Sequence, residues 1–258
     1  MTPVTPRAVA VPGTMCTPRL YQPLAHRMGG AVRMTGYDWM TRPGPWDIPS
    51  VAARLLTEIT ARTRPDDGPL VLIGHSTGGA IAVQAAILAA RRGVPVAGLL
   101  IMNSGADTAG HGDIDALIDV FRTDRRRGWR TVGGRRSFAR RRPGRHRVLG
   151  RLAPLLPMPG PVTRLRMEAY ARRVPTDAVV EVLASQRDLD LGPDLPAVAC
   201  PVTVLHGLLD TARTPGHARA IAEGVRDGEV RWVRTGHTPM VEAPGAAADA
   251  LHSLLARI

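Results

Sequence analysis

Short apolar runs recur along the chain and are separated by stretches with helical patterning. Runs apolar on both faces suit interior strands of a parallel sheet, and strands that alternate with helices favour a sheet covered by helices on both sides. Six segments are predicted as strands: 7–12, 31–37, 69–74, 96–103, 201–206 and 229–234. Helices are predicted at 18–28, from a Ser50 cap through Ile59, from the glycines after the third strand to Arg92, at 215–224 and at about 245–257.

The alternation breaks over residues 104–190, which are polar, rich in arginine and interrupted by prolines. Helical fragments are predicted there at 113–126, 162–173 and 176–186. We therefore predict an α/β core at 1–105 and 188–258, with a helical cap inserted at 106–187. Nine residues of the cap are predicted to supply apolar walls for a pocket: Leu117, Val120, Phe121, Leu155, Leu156, Met158, Leu165, Met167 and Tyr170.

Charge is concentrated in the same segment. The formal net charge is +12, and all 34 basic residues are arginines, which we interpret first as coding bias toward GC-rich codons. Residues 107–187 hold 18 arginines against 8 acidic residues. Three interpretations compete for this excess: a solvated cap surface, attraction of an anionic substrate or acidic carrier protein, and binding to nucleic acid or a membrane surface. Few aromatic residues interleave with the arginines, which argues against stacking on bases.

Composition excludes several other classes of protein. The two cysteines, Cys16 and Cys200, give neither a disulfide framework nor the spacing of a metal site. No apolar run approaches the ~18 residues of a membrane span, and Met1 to Val11 lack a signal-peptide pattern. We expect a cytoplasmic protein without metal or cofactor, and the sequence leaves its oligomeric state open.

The most informative motif is Gly74-His-Ser-Thr-Gly78, placed between a buried strand and a helix. It fits the pattern G-x-S-x-G, in which a tight turn lifts the serine hydroxyl above the carboxyl edge of a sheet. The amides that begin the next helix then face any oxyanion formed beside the serine. The alternative, a glycine-rich turn that binds phosphate, fits less well because Gly74 is followed directly by His75 and Ser76.

A serine nucleophile needs a base, and the base needs a carboxylate to orient it. Two later strand ends supply both groups: His206-Gly-Leu-Leu-Asp210 follows the fifth predicted strand, and Gly236-His237 follows the sixth. The resulting order along the chain is serine, aspartate, histidine. The sequence thus predicts Ser76 as nucleophile, His237 as base and Asp210 as orienting carboxylate.

Together with Pro12-Gly13-Thr14, these motifs resemble the α/β-hydrolase fold over nearly the whole chain. The resemblance implies a mostly parallel sheet of about six strands flanked by helices, with the Arg-rich helical cap inserted into it. It also implies an oxyanion hole of two backbone amides, those of Thr77 and Thr14, with Met15 as a substitute for Thr14. The family usually has His-Gly where this chain has Pro12-Gly13, so this chain lacks a histidine that often braces the loop in the family.

The remaining candidates are given structural interpretations. We expect His75 and His206 to be packed inside the fold, and five histidines to face solvent: His26, His111, His146, His217 and His252. Asp107 is the alternative triad acid, and Cys16 is more simply a packed thiol than a pocket residue.

The expected activity is hydrolysis of a carboxylic ester, lactone or thioester on a small acyl substrate, through an acyl-enzyme. A specialised metabolite of a GC-rich bacterium is the substrate suggested by association. The same residues would also serve an acyl transferase, cyclase, lyase or carbon–carbon hydrolase, and the fold alone would serve a small-molecule receptor.

Overall fold

The computed structural model describes residues 4–108, 114–123 and 169–258. Its centre is a sheet of six parallel strands in the order β2-β1-β3-β4-β5-β6, which confirms the predicted architecture. The strands are β1 (Arg7–Val11), β2 (Arg33–Gly36), β3 (Leu70–His75), β4 (Gly98–Met102), β5 (Val202–Gly207) and β6 (Gly228–Val233).

Helices cover both faces of this sheet. The α-helices of the described residues are α1 (Gln22–Met28), α2 (Ile48–Arg62), α3 (Thr77–Arg92), α4 (Ile114–Thr123), α5 (Thr176–Asp188), α6 (Pro215–Gly224), α7 (Pro239–Glu242) and α8 (Pro244–Leu255). Short 3₁₀ helices occupy Pro18–Tyr21 and Gly192–Ala197.

Side chains that alternate along the central strands divide the core into two layers. Leu72 packs with α2, α3 and α6 on one face, whereas Val71 and Ile73 pack with α1 and α8 on the other. This is the two-sided burial that an all-parallel sheet requires, and it explains why β3 reads as an unbroken apolar run.

Two local predictions are wrong. Helix α2 begins at Ile48, and its N-cap is Asp47, whose carboxylate accepts a hydrogen bond from the Ser50 amide at 2.8 Å. Proline in the first turn, here Pro49, is common because that turn leaves its amides without intrahelical partners. His217 is 5% exposed rather than solvent-facing, because its ring accepts a hydrogen bond from the Thr214 amide in a capping box at the start of α6.

Helix α5 is attached to the start of α2. Glu181 accepts hydrogen bonds from the Trp46 and Asp47 amides at 2.8 and 3.2 Å, and Ser185 accepts one from the Ile48 amide at 2.9 Å. The unpaired amides at the start of one helix are therefore satisfied by side chains of the other. This contact fixes α5 against the start of α2.

The structure describes the predicted cap only in part. Helix α4 packs against α5, and Phe121 and Tyr170 are 1% and 6% exposed within the main hydrophobic cluster. The other predicted wall residues at positions 155–167 and the arginine runs of 122–151 beyond Thr123 lie outside the described residues. Of the helices that the structure describes, none is long and apolar enough to cross a bilayer.

Candidate active site

Ser76 occupies a sharp turn between β3 and α3. Its backbone has φ 53° and ψ −127°, a conformation that non-glycine residues seldom adopt and that is found mainly where surrounding packing enforces it. Packing enforces it here, because a Cβ on Gly74 would lie 2.5 Å from the Gly78 carbonyl oxygen, and a Cβ on Gly78 would lie 2.1 Å from that of Val11. The two glycines of the motif are therefore required by close backbone contacts.

Asp210 and His237 meet at the same edge of the sheet. Asp210 lies in the turn after β5, His237 in the loop after β6, and the His237 Nδ1–H donates to Asp210 Oδ2 at 2.8 Å. The Asp210 side chain is fully buried, whereas that of His237 is 32% exposed. The structure therefore brings these two predicted residues into direct contact.

Several hydrogen bonds keep Asp210 ionised. Burial alone would raise the pKa of Asp210, but the charge and hydrogen bond of His237 oppose it, together with hydrogen bonds from Asn103 and the Ala212 amide. These contacts hold the pKa of the carboxyl well below its usual value. The carboxylate is thus available as the acceptor that fixes one tautomer of the His237 ring.

Asn103 is a site residue that the sequence analysis missed. It is fully buried, follows β4 with φ 47°, and donates to both Asp210 Oδ2 and the Gly236 carbonyl oxygen, the latter at 3.2 Å. Its own side-chain oxygen accepts from the Gly207 amide at 3.2 Å. Asn103 therefore joins the ends of three strands, and the signal in the sequence was a lone amide at the end of an apolar strand.

Glu242 was also missed, although it braces the loop that carries His237. Its carboxylate accepts hydrogen bonds from the Gly236 amide at 2.7 Å and the Thr238 amide at 2.9 Å. Both amides adjoin His237, so the backbone on either side of the imidazole is held by one side chain.

His75 links the serine turn to this loop. Its ring is 1% exposed and its Nε2–H donates to the His237 carbonyl oxygen at 2.7 Å, with the two ring centroids 4.8 Å apart. Burial and the charge of His237 lower the pKa of His75 to about 3, so the ring is neutral. The prediction that His75 packs inside the fold is confirmed.

Within the described residues, the Ser76 hydroxyl itself forms no hydrogen bond. Ser76 is connected to the Asp210–His237 pair through His75, which precedes it in sequence and donates to the His237 carbonyl oxygen.

The residues predicted to carry the oxyanion donors lie on two segments, the loop after β1 and the start of α3. A Cβ on Gly13 would lie 2.9 Å from the Ser76 Cβ, which places the loop after β1 directly against the serine. As the first residue of α3, Thr77 has no acceptor for its amide within the helix. The Met15 amide donates to the Met40 sulfur at 2.9 Å, whereas no hydrogen bond to another described residue occupies the Thr14 amide.

Other candidate residues serve the structure. Asp107 lies 3.8 Å from His217 rather than beside His237. His206 is fully buried, with its ring against the edge of Trp232 at 5.7 Å between centroids. Burial raises the pKa of the Cys16 thiol to about 12, which makes it unreactive. Among the described side chains, no group of three or more His, Cys, Asp or Glu residues is arranged to hold a metal ion.

Solved structures with the same fold include three bacterial enzymes. A hydrolase from Pseudomonas aeruginosa PA01 has a TM-score of 0.77 at 20% identity, over 97% of this chain and 90% of that one. The enol-lactonase from Burkholderia xenovorans LB400 has a TM-score of 0.72 at 16% identity, over 98% and 92%. The esterase EaEST from Exiguobacterium antarcticum has a TM-score of 0.73 at 17% identity, over 97% and 92%.

Similarity in sequence gives the family. Among curated proteins none matches this chain. Residues 8–250 match the profile of the alpha/beta hydrolase family, which is nearly the whole sequence and includes every site residue described above. The chain therefore belongs to the alpha/beta hydrolase family.

Proposed function

We propose that this protein is a serine hydrolase that cleaves a carboxylic ester, lactone or thioester through a Ser76–His237–Asp210 triad. The observation that carries the proposal is the hydrogen-bonded Asp210–His237 pair, which is linked by a hydrogen bond from His75 to the strained turn that carries Ser76. Solved structures similar to this chain include an enol-lactonase and an esterase, which supports ester and lactone substrates.

The proposed reaction follows from the tautomer of His237. Asp210 accepts the Nδ1–H, so the lone pair of Nε2 is free to take the Ser76 proton as the serine oxygen attacks the acyl carbonyl. The carbonyl π electrons move to its oxygen, which is stabilised by the Thr14 and Thr77 amides. The imidazolium then gives its proton to the leaving oxygen or sulfur, and the acyl-enzyme forms.

Deacylation repeats these steps with water. His237 removes a proton from water as the oxygen attacks the acyl-enzyme, and then returns the proton to Ser76 as the acid is released. The Asp210 carboxylate stays ionised throughout and stabilises the imidazolium formed in each half of the reaction.

The proposal extends to substrate and location. The arginine excess in 107–187 supports an anionic acyl substrate or a thioester on an acidic carrier, which predicts a KM that rises with ionic strength. Uncharged acyl substrates should show no such rise. Cys16 and Cys200 are both free thiols, which supports a reducing, cytoplasmic environment.

The first experiment is labelling with a fluorophosphonate, which reacts rapidly with an activated serine hydroxyl and displaces fluoride. We expect wild-type protein to be labelled at Ser76 and Ser76→Ala to be unlabelled and inactive on p-nitrophenyl esters, lactones and acyl thioesters of graded length. Ser104→Ala is the matched control, because Ser104 hydrogen-bonds the Ser76 carbonyl oxygen at 2.7 Å but its hydroxyl has no proposed role in the reaction. Folded wild-type protein that resists labelling, or Ser76→Ala that keeps full turnover, would refute the proposal.

A further inference from the structure

A chain of side-chain hydrogen bonds runs from the loop after β1 to helix α5. The Thr14 hydroxyl is 2.8 Å from that of Thr77, and the Thr77 hydroxyl is 2.7 Å from Gln186 Oε1. Thr77 and Gln186 are 2% and 4% exposed, so water does not compete for these bonds. We refer to Thr14, Thr77 and Gln186 as the hydroxyl chain.

The direction of the hydroxyl chain is fixed by its last member. A carboxamide oxygen only accepts hydrogen bonds, so Thr77 donates its single hydroxyl proton to Gln186. The Thr77 oxygen is then free to accept, and the Thr14 hydroxyl is its donor. Removing Gln186 would therefore free the Thr77 proton and also weaken the bond between the two threonines.

The two threonines also carry the backbone amides assigned to the oxyanion hole. Such donors are effective only when both lie about 2.7–3.1 Å from the developing oxyanion, and small displacements are costly. The bond between the two side chains ties the loop of Thr14 to the start of α3 and so fixes the separation of the two amides. Pro12-Gly13 lacks the histidine that often braces this loop in the family, and the hydroxyl chain is a brace that this chain does contain.

Gln186 brings a third element into this arrangement. It lies on α5, which is attached to the start of α2 through Glu181 and Ser185. Helix α5 is also the last helix of the predicted cap segment. The carboxamide of Gln186 therefore connects α5 to the start of α3, next to Ser76.

We propose that Gln186 is a positioning residue, which acts through the Thr77 and Thr14 side chains to hold the two amides of the oxyanion hole at their working separation. This inference rests on the proposed serine hydrolase function and adds to it a residue outside the triad. It predicts that loss of any bond in the hydroxyl chain lowers transition-state stabilisation and leaves ground-state binding nearly unchanged.

The test compares Thr14→Val, Gln186→Leu and their double variant with wild type, using kcat, KM and the Ki of a trifluoromethyl ketone, whose serine adduct carries an oxyanion. We expect each single variant to lose roughly tenfold or more in kcat with KM nearly constant, and Ki to rise in proportion. The double variant should be little worse than the poorer single variant, because both remove the same device. Thr14→Ser restores the hydroxyl and should recover most of the activity.

Ser185→Ala is the matched control on α5, because it removes a bond to the Ile48 amide without touching the hydroxyl chain, while the two hydrogen bonds of Glu181 keep α5 attached to the start of α2. It should retain kcat and Ki within about twofold of wild type. The proposal is overturned if Thr14→Val and Gln186→Leu also keep kcat and Ki near the wild-type values, or if their losses in kcat add in the double variant. It is also overturned if Ser185→Ala loses as much kcat as Gln186→Leu. If the melting curve shows that Gln186→Leu does not fold, the kinetics of Thr14→Val alone decide the test, because Thr14 is only half-buried and its substitution is better tolerated.

Fluorophosphonate labelling separates this inference from the proposed function. Wild-type protein that is labelled while the variants keep wild-type kcat and Ki would refute only the hydroxyl chain. Wild-type protein that is not labelled would refute the serine hydrolase itself.

Discussion

Acidification should destabilise this protein partly through His75, and His75→Gln should remove that part. The pKa of His75 is lowered from 6.5 to about 3 in the folded state because the ring is buried and faces His237. Between those two values the unfolded chain binds a proton that the folded chain excludes. The stability provided by the neutral ring is therefore complete above the unfolded pKa and decreases as the pH falls toward the folded one.

The size of this pH effect depends only on the pKa of His75 in the unfolded chain, as long as its pKa in the folded protein stays well below the pH range measured. Each pH unit below about 6.5 costs about 1.4 kcal/mol, so acidification from about pH 7 to pH 5 removes about 2 kcal/mol. Glutamine does not titrate, and its amide can donate to the His237 carbonyl oxygen in place of Nε2–H. The free energy of unfolding of His75→Gln should therefore fall by about 2 kcal/mol less than that of wild type over this range.

Urea denaturation followed by circular dichroism at the two pH values measures this difference directly. Contributions from His206, whose pKa is also lowered by burial, and from Asp210 occur in both proteins and cancel in the comparison. His75→Leu, which has no donor, should also lose activity by misplacing His237, whereas His75→Gln should keep most of it. Equal acid sensitivity of wild type and His75→Gln would show that the ring is not kept neutral by the fold.

Two further substitutions test the site and a helix start. Asn103→Ala removes a hydrogen bond to the Asp210 carboxylate worth about 1.5–3 kcal/mol. In steady-state assays kcat/KM should therefore fall by about one to two orders of magnitude. An unchanged kcat/KM would mean that Asp210 does not depend on Asn103. Asp47→Ala should lower the free energy of unfolding by about 1 kcal/mol, because it removes the N-cap of α2. Ser50→Ala keeps the amide that the cap binds and should lower the free energy of unfolding less. The opposite order in urea denaturation would contradict the capping geometry.

Features set by neighbouring residues were predictable from the sequence. The turn at Gly74-His-Ser-Thr-Gly78 is local, because its glycines are dictated by contacts within the turn and with the adjacent strand. The six strands were predictable for a similar reason, since parallel strands buried on both faces are continuous apolar runs. Asp210 and His237 follow the fifth and sixth strands, so the sequence predicted that both lie at the same edge of the sheet.

Residues that act at long range were not predictable. Asn103 and Gln186 contact partners more than a hundred residues away. A lone amide at the end of an apolar strand marks Asn103 as unusual, but the local sequence of neither residue shows which partner it binds. His217 was expected to face solvent because it lies on a predicted helix outside the apolar strands, but its ring takes the capping-box position where glutamate or glutamine is usual. In these cases the tertiary partner, and not the local pattern, decides the environment.

The backbone of Ser76 also limits which other residues could serve as the proposed nucleophile. A positive φ is tolerated by residues with an unbranched Cβ but is a severe outlier for threonine, whose extra methyl group crowds the main chain. Cysteine could occupy the position without a change of backbone, whereas threonine could not, even though its hydroxyl is chemically equivalent. A single mutation could therefore replace the proposed serine nucleophile with the thiol of cysteine, but not with the secondary alcohol of threonine.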